Sequence, residues 1–222
     1  MVTTAVFDAA AAASQVVTAL LPQADSERAR RAKRYLKSDL DFLGVSVPAI
    51  RSAVRDVART RRELDRDGAL AWARALWREP VHERRTAAIE VLRWYTRRLL
   101  PADLALVEAW IREAHGWAYV DPLAGDIAGP IAVAHPDAWP LIDAWATDED
   151  FWVRRSALLT LLPGIRQGGL DRERFERYAT PMLAEKEFLL GRPSDGCCAR
   201  PRRKIRPTWP RGRGVTWTRC PA

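Results

Sequence analysis

The residues best suited to chemistry lie in one short segment, residues 116–122, which reads GWAYVDP. This segment places a carboxylate, Asp121, close to two aromatic residues, Trp117 and Tyr119. Because a proline disfavours the helical conformation of the residue before it, the pattern predicts Asp121 at a helix boundary, with Pro122 in the first helical position. Two interpretations remain open: Asp121 is an N-cap, or it is a carboxylate held beside two aromatic faces.

A second cluster combines aromatic and basic residues in the segment FWVRRSAL, residues 151–158. Its adjacent Arg154 and Arg155 either form salt bridges or bind a phosphate through paired hydrogen bonds. Further arginines recur one helical turn apart, at Arg30 and Arg34, Arg51 and Arg55, and Arg93 and Arg97. Each pair alone is typical of a solvated helix face, whereas several rows on one concave face would suit a phosphate backbone.

Several familiar kinds of site are missing from the sequence. His82 and Glu83 are followed at position 86 by Thr86 and not by histidine, which excludes the zinc-protease motif. The histidines have no metal-like spacing, and neither a P-loop nor a glycine-rich dinucleotide loop occurs. Residues 1–190 contain no cysteine, so neither a disulfide framework nor a cysteine-based zinc site holds that region together.

The elements that must position these residues are helices. Residues 1–190 are rich in Ala, Leu, Arg and Glu, and prolines or glycines interrupt them about every 20 residues. Amphipathic segments of about 12 to 18 residues predict antiparallel helix pairs, and a pair period of about 40 residues is typical of HEAT-like repeats. We therefore predict an all-α fold, an α-solenoid of HEAT-like antiparallel helix pairs with a concave face, in which most tryptophans pack in the core.

The last 32 residues, 191–222, differ from the rest of the chain. They contain nine basic side chains and one acidic side chain, so they account for the formal net charge of +8, and residues 1–190 are neutral. They also contain five prolines, four glycines and all three cysteines, without apolar periodicity. Two interpretations fit this composition: a disordered basic arm that strengthens nucleic-acid binding, or the product of a shifted reading frame.

Codon arithmetic favours the shifted frame. One choice of codons for residues 191–199 (GRPSDGCCA), with a single C added in front, regroups to encode RKAIGWVLR. That peptide continues the amphipathic helix of the preceding segment, residues 183–190. We therefore predict a helical repeat domain over residues 1–190 and a disordered basic frameshift tail over residues 191–222, which sequencing of the gene would test.

The sequence also bears on location. It contains no run of about 18 uncharged apolar residues, so no membrane-spanning helix is predicted. Residues 1–21 lack the basic start of a secretory signal, which makes the cytoplasm the expected location. The high isoelectric point belongs to the tail and does not indicate what residues 1–190 bind.

Four stretches together resemble the AlkD-like DNA alkylation repair enzymes, a family built from HEAT-like repeats. They span most of residues 25–190, and their combination is specific although each one alone is weak. The stretches are residues 35–44 (YLKSDLDFLG) with Pro48 and Arg51, Trp77 with residues 82–85 (HERR), residues 117–121 (WAYVD), and residues 151–158 (FWVRRSAL).

The resemblance implies a DNA glycosylase that removes positively charged N3- or N7-alkylated purines from double-stranded DNA without flipping the damaged base. It implies that Asp121 is the catalytic carboxylate, that Trp117 contacts the sugar of the lesion, and that Arg155 contacts a phosphate near it. It also implies a monomer that needs no metal or organic cofactor and that is associated with the nucleoid through DNA. Tyr119 is a further candidate for substrate binding. Further candidates for contacts to the DNA backbone are Arg51, Arg84, Arg85 and Arg154.

The sequence departs from the family after Leu190. A second aromatic residue of the family, a tryptophan in a run much like the regrouped IGWVL, corresponds here to Asp195 and Gly196. We therefore expect one wall of the lesion site to be missing and activity to be impaired. Two alternatives stay open: a non-catalytic HEAT-like protein that binds DNA, and a scaffold for protein–protein interactions.

Overall fold

A computed structural model of the chain describes residues 7–114 and 116–183. These residues form helices and no strand, and their one β-bridge, between Asp41 and Val81, is isolated. The prediction of an all-α fold is confirmed. The α-helices are α1 (Ala9–Leu20), α2 (Ser26–Leu36), α3 (Val47–Arg59), α4 (Arg66–Trp77), α5 (His82–Trp94), α6 (Leu104–Ala114), α7 (Trp117–Pro122), α8 (Gly129–Ala134), α9 (Trp139–Trp145), α10 (Phe151–Leu159), α11 (Leu162–Arg166) and α12 (Arg172–Met182).

Three side-chain hydrogen bonds join residues at a nearly constant sequence separation. The separation is 37 residues for one pair and 36 for two others, close to the helix-pair period of about 40 residues that the sequence predicts. The bonds join Arg66 to Asp103, Trp77 to Glu113, and Arg112 to Asp148.

Aromatic and aliphatic side chains fill the core between the helices. Helix α5 packs against α3 and α4, and α10 packs against α6, α7 and α9. Trp72 and Trp145 are buried, and the rings of Trp77 and Trp110 stack with their centroids 4.3 Å apart. Core packing, predicted for most tryptophans, is confirmed for these four, whereas Trp117 remains exposed.

The segment around Pro122 corrects one prediction. Asp121 does not cap a helix that starts at Pro122, because α7 begins at Trp117 and contains both residues. Pro122 has no N–H to donate to the carbonyl group of Ala118, and the helix continues directly into a π-helical turn, Leu123–Ala128, before α8. The wider turn absorbs the effect of the proline, and the side chain of Asp121 is available for another partner.

A buried carboxylate holds the connection between α2 and α3. Glu83, near the start of α5, accepts hydrogen bonds from the backbone N–H groups of Leu43 and Gly44, both at 2.8 Å, and of Val45 at 3.2 Å. Gly44 has a φ of +77°, and a Cβ atom there would lie 2.0 Å from the carbonyl oxygen of Asp25. Only glycine suits this close approach, and the loop it permits fixes α2 relative to α3 and α5.

In the described part of the chain, no helix is both long and apolar enough to cross a membrane. The predicted tail, residues 191–222, lies outside the described residues.

Candidate functional site

Helix α7 carries the two residues that the sequence singled out first. Trp117 and Asp121 are four residues apart and therefore lie one turn apart on the same side of the helix. The indole of Trp117 is 47% exposed, and the carboxylate side chain of Asp121 is 37% exposed. Both groups are thus within reach of a ligand.

Arg155 reaches Asp121 from α10, which packs against α7. Its Nε and Nη2 atoms each donate a hydrogen bond at 2.9 Å to the two oxygens of the Asp121 carboxylate. This bidentate pair fixes the plane of the carboxylate, and it leaves the Nη1 edge of the guanidinium for another acceptor. The structure therefore brings Trp117, Asp121 and Arg155 into one cluster.

Tyr35, at the end of α2, extends this cluster. Its side chain is 71% exposed, and its ring meets the ring of Trp117 edge to face at a centroid distance of 5.9 Å. We did not predict Tyr35 as a site residue, although it opens the first of the stretches that resemble the family. Its place in that stretch could have marked Tyr35 as a candidate, but its contact with Trp117 depends on the packing of α2 beside α7.

A cleft of about 280 Å³ lies between α2, α3, α5 and α7, with Trp117 in its wall. Its lining is mostly apolar, with one ion pair: Arg51 Nε lies 2.9 Å from Glu90 Oε1. Arg51, predicted to contact DNA, is thus partly neutralised, although half of its side chain is exposed. The cleft therefore offers a mostly apolar surface that shares Trp117 with the cluster of Trp117, Asp121 and Arg155.

Tyr119, predicted to bind substrate, lies on the inner side of α7. It is 5% exposed, its ring meets the ring of Trp77 edge to face, and its hydroxyl lies 2.6 Å from Nδ1 of His82. Burial raises the pKa of this tyrosine above its ordinary value. Tyr119 therefore packs mainly against neighbouring helices, although it also lines a second cleft together with Trp117. Its role in substrate binding stays a prediction.

His82 belongs to the same inner layer. Its ring stacks on Phe42 with the centroids 4.6 Å apart, and burial lowers its pKa although Glu83 acts in the opposite direction. A buried imidazole with a lowered pKa is neutral at pH 7. His82 also borders the cleft, so the neutral ring forms part of its floor.

Arg84 and Arg85, whose contact with DNA stays a prediction, both make contacts within the fold. Arg85 is 8% exposed, pairs with Glu113 at 2.5 Å, and places its guanidinium 4.9 Å from the ring centroid of Trp77. Arg84 is half-buried and donates to the backbone carbonyl of Ala75 at 3.2 Å. The first turn of α5 faces α4 and α6, so these guanidinium groups stabilise contacts between helices.

Arg154 donates to the backbone carbonyl groups of Asp148 at 2.6 Å and Glu149 at 2.8 Å. Its guanidinium therefore ties α10 to the turn that precedes it. The predicted contact of Arg154 with the DNA backbone stays a prediction. Within the described residues, no group of three or more His, Cys, Asp or Glu side chains is arranged to hold a metal ion.

A family model described as "DNA alkylation repair enzyme" matches residues 16–191. The chain belongs to the DNA alkylation repair enzyme family. The family match covers every residue of the Trp117–Asp121–Arg155 cluster and Tyr35, and it ends where the basic tail begins. The resemblance deduced from the sequence is thus confirmed at the level of the family.

A solved structure supports the same fold. The protein, described as a predicted DNA alkylation repair enzyme from Enterococcus faecalis, superposes with a TM-score of 0.66 at 19% sequence identity. The match covers 76% of this chain and 78% of the other. No curated protein sequence matches the chain.

Proposed function

We propose that this member of the DNA alkylation repair enzyme family is a glycosylase that excises positively charged N3- or N7-alkylated purines from double-stranded DNA. We further propose that its helix pairs form a HEAT-like solenoid whose concave face receives the duplex. The observation that carries the proposal is the partly exposed Asp121 carboxylate, oriented by Arg155 and one helical turn from the exposed Trp117.

The chemistry suits this arrangement. Alkylation at N3 or N7 makes the purine a cation, so the bond between C1′ and the base breaks with its electron pair going to the base. Positive charge then develops on the deoxyribose, where a fixed carboxylate stabilises it and orients the water that adds to C1′. The proton released by that water passes to Asp121 or to solvent.

Trp117 and Arg155 complete the proposed site. The face of Trp117 would stabilise the cationic sugar by about 0.5–2 kcal/mol through a cation–π interaction. Arg155 would bind a phosphate beside the lesion through its free Nη1 edge while it still holds Asp121 through Nε and Nη2. The guanidinium group of Arg155 would thus contact both the DNA backbone and the catalytic carboxylate, and so position one relative to the other.

The departure of the tail from the family predicts a weakened enzyme. With Asp195 and Gly196 where the family has an aromatic residue, the sugar would be contacted on one side only. We therefore expect base release that is slow relative to a chain with the restored reading frame.

Release of free 7-methylguanine and 3-methyladenine from methylated duplex DNA tests the proposal. Asp121→Asn should keep duplex binding and lose most base release. Asp126→Asn is a matched control, because Asp126 is also a partly exposed carboxylate that pairs with arginines, Arg93 and Arg166. Duplex binding without base release, by both the unaltered chain and the control, would favour the non-catalytic alternative.

A further inference from the structure

Helix α2 is strongly basic and has no buried residue. Its 11 residues, SERARRAKRYL, include five arginines or lysines and one glutamate, and none of them is buried. The helix is held at its N-terminal end, where Asp25 caps the first turn and Arg28 donates to the carbonyl group of Gly44 at 2.8 Å. A helix with no buried residue gains little stability from packing. The stability of the fold therefore does not explain the strong positive charge of α2, and binding of a ligand would.

Of the five cations in α2, two have acidic partners on the same helix, and Lys33 donates to the backbone carbonyl of Asp39 at 3.4 Å. Arg28 and Arg31 lie 3.5 Å from Asp25 and Glu27, respectively. Arg30, Arg34 and Lys37 are exposed and form no ion pair with any residue that the structure describes. Arg30 and Arg34 lie one turn apart, and Lys37 follows in the residue that ends the helix.

Arginines on the inner helices behave differently. Arg51 and Arg93 both approach Glu90, at 2.9 Å and 3.6 Å, and Arg93 and Arg166 both lie 3.6 Å from Asp126. Glu90 and Asp126 thus neutralise much of the positive charge of these three arginines. Arg30, Arg34 and Lys37 have no such partner among the described residues, which makes this helix the stronger attractor for a polyanion.

The position of α2 beside the candidate site indicates that the polyanion is duplex DNA. Tyr35, next to Arg34 in sequence, contacts Trp117 of the candidate site with a ring distance of 5.9 Å. A duplex whose damaged nucleotide lies at Trp117 and Asp121 must therefore pass close to α2. We propose that Arg30, Arg34 and Lys37 bind the phosphate backbone of the duplex that flanks the candidate site, which rests on the proposed function.

The test measures how the affinity for an undamaged duplex depends on salt. Each lost phosphate contact should reduce the slope of log K against log [salt] by about 0.9. In the full chain, the triple variant Arg30→Ala, Arg34→Ala, Lys37→Ala should therefore have a slope smaller by about 2.7. Between 50 and 200 mM salt, the unaltered protein should lose about 40-fold more affinity than this variant.

A second triple variant supplies the control, Arg62→Ala, Arg74→Ala, Arg78→Ala. These residues are also exposed, and their replacement removes the same charge. Among the described residues only Arg78 has an acidic partner, Glu79 at 3.9 Å, and the basic tail stays present in every protein. The control should keep the slope of the unaltered chain. An unchanged slope in the α2 variant, or an equal change in both triple variants, would overturn the proposal.

The outcome of this test does not depend on whether the proposed glycosylase reaction takes place. The duplex carries no lesion and no base release is measured, so an inactive enzyme can still show the α2 effect. Conversely, base release together with an unchanged α2 slope would retain the glycosylase proposal and reject this surface. Thermal unfolding at the same temperature in all three proteins confirms that the comparison concerns folded chains.

Discussion

Replacing Glu83 with glutamine should destabilise the protein strongly, because this carboxylate is 1% exposed and accepts three backbone hydrogen bonds. If the amide oxygen keeps the bonds from Gly44 and Val45, the amide nitrogen must face the N–H of Leu43, where Glu83 Oε2 now accepts at 2.8 Å. Two donors then oppose each other in a buried position, and one hydrogen bond is lost outright.

The magnitude follows from these contacts. Leaving one buried donor without a partner costs about 1–3 kcal/mol, and the two remaining bonds weaken by about 1 kcal/mol each when the acceptor loses its charge. The expected loss in the free energy of unfolding is therefore about 3–5 kcal/mol. For a chain of this size, that loss corresponds to a fall in Tm of about 6–20 °C.

Urea unfolding and thermal unfolding of Glu83→Gln, each followed by circular dichroism, measure this loss. Glu79→Gln is the matched control, because Glu79 lies four residues earlier, is 42% exposed and makes only a 3.9 Å contact with Arg78. The control should stay within about 0.5 kcal/mol of the unaltered protein. If Glu83→Gln unfolds at the same urea concentration as the control, the carboxylate does not hold the α2–α3 connection.

Two further predictions concern stability. Gly129→Ala should lower the Tm, because the new Cβ would lie 2.8 Å from both Pro163 Cγ and the carbonyl oxygen of Thr160. Gly125→Ala is its control and should keep or raise the Tm, because the new Cβ would lie 3.5 Å from Leu162 Cδ1, an ordinary contact distance. Burial lowers the pKa of His82 in the folded state below its ordinary value of 6.5. Because the unfolded chain then binds a proton to His82 more readily than the folded chain does, the folded state should lose stability as the pH falls from 7.5 to 5.5. Urea unfolding should show a smaller loss over this interval in His82→Gln, and an identical pH dependence would refute the role given to burial.

The residues of the candidate site could be predicted from the sequence, whereas the contacts between helices around the site could not. Trp117, Asp121 and Arg155 were recognised by their motifs, and the spacing of Trp117 and Asp121 fits one helix face. The 34-residue separation of Asp121 and Arg155 could not be derived from local periodicity, because it depends on how α7 packs against α10. Tyr35 was missed for the same reason, since its contact with Trp117 crosses from α2 to α7.

Buried contacts between helices could not be predicted from the sequence. Arg85 pairs with Glu113 and the hydroxyl of Tyr119 lies beside His82, so each side chain is buried against a partner from another helix. The cap predicted at Asp121 failed because a π-helical turn accommodates Pro122 without ending the helix. Single-sequence rules treat each helix as half exposed, and they fail where neighbours supply buried partners.

The most direct test of the proposed function compares rates of 7-methylguanine release at saturating protein, under single-turnover conditions, for the unaltered chain and Asp121→Asn. Loss of one preorganised electrostatic stabiliser costs about 2.7–4 kcal/mol, so the rate should fall by about 10²–10³-fold while the Kd for the duplex is kept. Equal rates of release by the two proteins would contradict the assignment of Asp121 as the group that stabilises the cationic sugar.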